Sequence, residues 1–368
     1  MTKRTVVICI DGFDPEYLEA CRTPNLRELG RKGFLKIGRS MMPSVTNVNN
    51  VSLCTASYPE KHGISSNYRL VRETGEEIYM ESAEYILAET MFEKAARLGK
   101  KSVVVTSKDK LRTLLNRGPD LTVSSERPLD WIVEGIGAPP KIYSLEVNGW
   151  VIRAGDLIMS RMPDVELVYL TTTDYAMHTY APDEPESQQH LSILDDAIGD
   201  LVTHHPDATL MLTADHGMSQ KTRMVDLRAA LAKYGVGANP VPIIKDRYTV
   251  HHSNLGGFMF VYLDDVSQMA EAVRVLSETP GVEYVKTRDD AARDLRLHYD
   301  RIGDLVVNGA PEVVFGDPGE VELPPRLRSH ASTHEQDIPL LGYNGDFAGF
   351  DFEENRDLGR FVMERVLG

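Results

Sequence analysis

Short runs of β-branched and aliphatic residues, each ending abruptly in polar ones, set the rhythm of this chain. Residues 5–10, 102–106, 166–171 and 208–213 are too brief and too uniformly apolar for amphipathic helices, and predict strands buried on both faces of a parallel sheet. Between them the period becomes helical. Thr23-Pro24-Asn25-Leu26 offers a capping threonine and a proline at the first helical position, followed by Leu29 and by Gly30 and Gly33 as stops. Residues 189–202 keep apolar side chains at 191, 194, 197, 198 and 201, one face of a helix. Strands alternating with helices predict an α/β fold, a mostly parallel sheet between helices.

From 241 to 316 the pattern changes, with strand-like stretches at 257–263, 282–285 and 304–307 around a helical one at 266–277. This predicts a small α+β cap inserted into a core made of residues 1–240 and 317–368. A polar, proline-containing loop (324–337) and a last helix (354–367) follow, whereas residues 65–85 and 116–160 show no period that predicts an element.

Composition narrows the classes. With 55 acidic against 40 basic residues the net charge is −15, which argues against a nucleic-acid binder. No apolar tract is long enough to span a bilayer. The first residues place two basic side chains before only five apolar ones and Asp11, too short for a secretory signal, so a cytoplasmic location is expected. Cys9, Cys21 and Cys54 are odd in number and unrelated in spacing, which suggests neither disulfides nor a thiolate metal site.

The chemistry sits where the strands stop. The first runs into Asp11-Gly12, the third into Thr172-Thr173-Asp174 with His178 four residues on, and the fourth into Asp215-His216-Gly217. Open α/β sheets bind ligands at the carboxyl ends of their strands. Each feature alone has a plain explanation: Asp-Gly is commonly a turn, and an Asp/His pair four apart is commonly a solvated helix face. Together they form the oxygen and nitrogen donor set that zinc accepts. A late loop adds His334, with His330 competing for the same role. The set is sufficient for two zinc ions about 3.5–4 Å apart, the arrangement that clamps both ends of an in-line phosphoryl displacement. Thr46 stands in a loop that opens into a helix, where backbone N–H groups favour an ionised hydroxyl and an arriving phosphate; otherwise it would be a plain N-cap.

Asp11-Gly12, Thr23-Pro24-Asn25-Leu26, the Thr46 loop, Tyr58-Pro59-Glu60-Lys61-His62-Gly63-Ile64, Asp174 to His178, Asp215-His216-Gly217 and His334, taken in order, resemble the alkaline phosphatase superfamily. The resemblance is to the branch that holds nucleotide pyrophosphatase/phosphodiesterases and phosphonoacetate hydrolases. It implies an alkaline phosphatase-like core, one zinc on Asp174, His178 and His334, and another on Asp11, Thr46, Asp215 and His216. It also implies Thr46 as nucleophile, passing through a phosphothreonine, with Asn67 donating to a phosphoryl oxygen. Two features favour the hydrolases: Val45-Thr46-Asn47-Val48-Asn49-Asn50 departs from the diesterase loop, and Lys108 and Lys110 follow a strand at the same sheet edge. Lys-Asp-Lys is ordinarily a solvated loop, but the resemblance places paired lysines at a substrate carboxylate, with Arg247, His251 and His252 joining from the insert. The expected activity is zinc-dependent hydrolysis of a carbon–phosphorus bond, the alternatives being a phosphodiesterase or monoesterase on the same metals and a binding module that keeps only the fold. The expected partners are a small anionic phosphonate, neither nucleic acid nor membrane, with a homodimer of the chain left open.

Overall fold

The four apolar runs become the middle of one sheet. The computed structural model describes residues 4–247 and 251–368. The sheet's strands, in chain order, are β1 (Thr5–Cys9), β2 (Phe34–Arg39), β3 (Lys101–Thr106), β4 (Leu121–Ser124), β5 (Val165–Thr171), β6 (Thr209–Thr213) and β7 (Asp337–Tyr343). Their spatial order is β2-β7-β6-β1-β5-β3-β4. The five from β6 to β4 are parallel, and β7 runs antiparallel to both of its neighbours. β1 and β6 are buried along their whole length, as continuous apolar runs covered on both faces must be.

Register is what matters for the site. Cys9 on β1 lies opposite both Thr171 and Thr213, and Thr106 on β3 also lies opposite Thr171. The residues that follow these strands therefore leave the sheet level with one another, at one edge.

The helices α1 (Pro24–Lys32), α2 (Thr46–Thr55), α3 (Val147–Arg161), α4 (Pro185–His204) and α5 (Asn355–Phe361) cover the sheet. The helix expected at 354–367 is α5 continued by a wider π turn, Val362–Val366. Helix α3 falls where no period was legible. It is buried over most of its surface, and Gly149 and Gly155 sit where a Cβ would come within 2.5 Å of Ile193 and 2.6 Å of Leu170. A helix that buries nearly all round and uses glycine for close approach loses the amphipathic signature.

The cap is an antiparallel sheet ordered Ala238–Pro242, Phe258–Leu263, Leu305–Gly309, Val282–Thr287. It begins earlier than 241: Arg223–Val225 pairs with Val313–Phe315, and Leu227 and Leu231 join the cap's own apolar cluster. Strand Phe258–Leu263 shows how cap and core are joined. Met259, Val261 and Leu263 face the cap cluster, while Phe258, Phe260 and Tyr262 belong to the main core, the alternation a strand imposes. Among the described residues, no helix is long and apolar enough to cross a membrane.

Candidate active site

Three strand ends converge as their register requires. After β1, the Asp11 N–H donates to Thr172 Oγ1 (2.9 Å), and the Gly12 N–H donates to Asp215 Oδ1 (3.1 Å). Gly12 has φ +73°, and a Cβ there would press to 3.2 Å on Asp174 and Met177. After β5, the chain turns into the short helix Tyr175–Thr179, whose first turn sets His178 against Asp174, Nε2 to Oδ2 2.8 Å. The preceding Thr173 is clamped by Asn148, which accepts its N–H (2.9 Å) and donates to its carbonyl (2.7 Å). After β6, His216 brings Nε2 to 3.2 Å from Asp11 Oδ1 and 3.7 Å from Asp215 Oδ2.

The late histidine is corrected by the structure. His334 is exposed and hydrogen-bonded to Glu283 (Nε2 to Oε2 2.8 Å), away from these residues. Its neighbour His330 is buried, stacks on His216 (centroids 3.5 Å, planes 6° apart) and brings Nε2 to 3.8 Å from Asp174 Oδ2. The cause is local. Ser332 and Glu335 form a capping box around a single turn, which directs His334 outward, while an Ala331–Ser44 bridge holds His330 inward. Asp11, Asp215 and His216 form one group of donors, Asp174, His216 and His330 a second that shares His216, and Asp174, His178 and His251 a third that shares Asp174.

The donor set fits cations. His178, His216 and His330 each place Nδ1 on a backbone carbonyl, of Arg328 (2.6 Å), Gly217 (2.9 Å) and Ser44 (2.7 Å). A carbonyl only accepts, so Nδ1 carries the proton and Nε2 offers its lone pair. Asp11 Oδ1 and His216 Nε2 are buried with no hydrogen-bond partner. Burial and the adjacent Asp11 push Asp215 well above the usual carboxylate range. Although burial disfavours a charged ring, Asp215 and Asp11 push His216 up to about 10. Such crowding of anions is what one or two divalent cations relieve. Burial also depresses the basicity of His330, and the adjacent imidazoles of His216 and His178 lower it further, which suits a neutral ligand.

Thr46 is the first residue of α2, with Val45 rather than Thr46 as the N-cap, and it is buried. Its helix is wired to both donor groups. Asn50 Nδ2 donates to the Thr46 carbonyl (3.0 Å) and to Asp215 Oδ2 (3.4 Å), with Tyr169 donating to Asn50 Oδ1 (2.7 Å). The Ser44 carbonyl receives His330. Asn67 accepts the Asn47 N–H through Oδ1 at 3.0 Å, which leaves its Nδ2 as the donor end.

Both lysines are buried beside this cluster. Lys108 Nζ is 3.5 Å from Asp174 Oδ1, and Lys110 Nζ is 2.6 Å from Asp246 Oδ2. Burial opposes the charge on Lys108, yet Asp174 and Asp246 outweigh it and raise its pKa. Arg247 is not brought in: it is exposed, lies over the Tyr79 ring and stands 3.9 Å from Glu81. His252 is buried against Asp246 at 3.3 Å, and His251 lies 3.7 Å from Asp174 Oδ1 with its ring 4.9 Å from that of His178. Asp246 was not foreseen, because a lone acid in a polar loop carries no periodic or spacing signal.

Residues 5–334 match the family described as Type I phosphodiesterase / nucleotide pyrophosphatase. The chain belongs to that family. Among solved structures, this family member is similar to the phosphonoacetate hydrolase of Sinorhizobium meliloti 1021 in complex with phosphonoacetate. The two are 31% identical, with 99% of this chain and 96% of that one covered and a TM-score of 0.90. Murine ectonucleotide pyrophosphatase / phosphodiesterase 5 shares the fold at 17% identity, 99% and 95% coverage and a TM-score of 0.73. Two curated relatives each match over 58% of this chain. An uncharacterized pyrophosphatase/phosphodiesterase of Schizosaccharomyces pombe is 25% identical over 221 residues, 58% of this chain and 44% of that protein. The venom phosphodiesterase of Naja atra is 26% identical over 225 residues, 58% of this chain and 26% of that protein. The chain spans less than half the length of these curated relatives. The architecture is alkaline phosphatase-like, a mostly parallel sheet between helices with a cap.

Proposed function

We propose that this protein is a two-zinc hydrolase that splits the carbon–phosphorus bond of phosphonoacetate into acetate and phosphate. The observation that carries the reading is the pair of buried lysines, Lys108 and Lys110, at the sheet edge that gathers the metal donors; the likeness to a phosphonoacetate hydrolase along nearly the whole chain supports it. One cation would be held by Asp174, His178 and His330, the other by Asp11, Asp215, His216 and Thr46. When bound, zinc supplies Lewis-acid charge to the phosphonyl oxygens and favours the ionised form of oxygens beside it.

The chain's own residues do the rest. Thr46 Oγ1 attacks phosphorus from the start of α2, where N–H groups face the incoming charge, and gives up its proton to solvent as it does so. Asn67 Nδ2 donates to a non-bridging oxygen. As the new O–P bond forms, the P–C bond breaks and its electron pair passes through carbon into the carboxylate as an enolate. Lys108 and Lys110 stabilise that growing charge, an oxyanion-hole role, and a solvent proton converts the enolate to acetate. Water then displaces phosphate from Thr46 and regenerates the hydroxyl.

Phosphate release from phosphonoacetate, compared with hydrolysis of bis-p-nitrophenyl phosphate and accompanied by a zinc count, tests this. Phosphate release together with about two zinc ions per chain supports it. Turnover of the diester alone replaces it with the second reading, a phosphodiesterase, which the family match over residues 5–334 favours.

A further inference from the structure

Lys110 leaves the core just beyond β3, yet its ammonium ends on the cap. Asp246 Oδ2 receives it at 2.6 Å, with both side chains less than a tenth exposed. Asp246 is itself braced. Its N–H donates to Asn254 Oδ1 (3.3 Å), and its other carboxylate oxygen faces His252 Nε2 at 3.3 Å. The Asn254 N–H occupies His252 Nδ1 (2.9 Å), so Nε2 carries the proton and lies close to Asp246. Although burial favours a neutral carboxyl, Lys110 and His252 hold Asp246 well below the usual carboxylate range. The lysine thus meets a fully charged partner fixed from two sides.

We infer that Asp246 is a positioning residue for substrate recognition: with His252 it fixes the Lys110 ammonium, so that the cap takes part in reading the substrate carboxylate through a core lysine. The inference rests on the proposed role of Lys110 at that carboxylate. An ammonium has three donors, and Asp246 takes one while holding the group in place. A buried lysine without its counter-charge would discharge or swing away, because desolvation disfavours its charged form. Opposing this, Asp246 is an anion near an anionic ligand. Direct contact with the Lys110 ammonium neutralises it at short range, so its hold on the lysine outweighs repulsion at longer range.

The test is calorimetric binding to the zinc-loaded, full-length protein, with two probes. Phosphonoformate carries a phosphonate and a carboxylate; methylphosphonate lacks the carboxylate. Asp246→Asn is expected to weaken phosphonoformate roughly tenfold, the loss of one charge-assisted contact, and to leave methylphosphonate within about twofold. Asp246→Glu should recover part of the loss, and Asp246→Asn combined with Lys110→Met should bind no more weakly than Lys110→Met alone. Equal weakening of both probes would make the pair a fold contact only. Additive losses, no loss, or tighter phosphonoformate binding would each overturn the inference. Because these are binding measurements, an unmodified protein that releases no phosphate from phosphonoacetate would remove the proposed reaction and leave this result standing on its own.

Discussion

Lys108→Met removes the ammonium that faces the metal donors while keeping a side chain of similar length. Lys108 is 3% exposed, so water cannot readily take over its charge. With a substrate carboxylate about 4 Å from Nζ and an effective dielectric constant near 20, the attraction is about 4 kcal/mol. Only the part that strengthens as charge moves onto the carboxylate lowers the barrier, and oxyanion-hole donors set that part at about 2.7–4 kcal/mol. The expected fall in kcat/KM for phosphonoacetate is therefore roughly 10²-fold to 10³-fold. An aryl phosphate ester places no carboxylate there and should lose less than about a tenth as much. Lys108 also faces Asp174 at 3.5 Å, so a lost metal could imitate this result. Removing a cation beside Asp174 makes that donor group more anionic, however, and zinc content by elemental analysis should hold. Steady-state rates on both substrates, with zinc measured on the same preparations, decide the matter. Equal decline on both substrates at constant zinc, or less than about a threefold decline on phosphonoacetate, would refute the charge argument.

Thr46→Ala should lower turnover by at least about 10³-fold, with Thr46→Ser keeping part of the rate, and acid quench followed by peptide mass analysis should find phosphate on Thr46 only in chains that keep the hydroxyl. His330→Ala should cost about one zinc per chain after desalting, whereas His334→Ala should leave the zinc count unchanged; the reverse outcome would restore His334 as the ligand. The fully buried His62 is neutral, accepting the Ile64 N–H at Nδ1 (3.1 Å) and meeting Ser52 Oγ through Nε2 (2.8 Å), and burial lowers its pKa to about 3. Since the unfolded chain takes up that proton near pH 6.5, stability present at neutral pH is lost as pH falls from about 6.5 toward 3, by roughly 2–3 kcal/mol at pH 4.5. Urea unfolding of chelator-treated protein should show that loss and His62→Gln should lack it; identical pH slopes in the two would refute the assignment.

What the sequence determined by itself is the part governed by short-range pattern. The runs ending in Asp11, Asp174 and Asp215 were legible as strands because a strand buried on both faces is built from a nearly continuous apolar run, and the change to polar residues marks the end where ligands gather. Helices with one wet face, such as α4, were legible for the same reason, while the nearly enclosed α3 was not. Tertiary structure decided everything that depends on which way a loop side chain turns. His330 and His334 are equivalent on paper, four residues apart in one loop; a capping box and a bridge to Ser44 turn one inward and the other toward Glu283. Arg247 and Asp246 are adjacent, yet the acid is buried on Lys110 and the arginine exposed, because backbone direction in an irregular loop is set by the surfaces it packs against and leaves no period in the sequence. The start of the cap near 223 rather than 241 belongs to the same class: Arg223–Val225 finds its strand partner at Val313–Phe315, about 90 residues away, a pairing that only the folded chain can make.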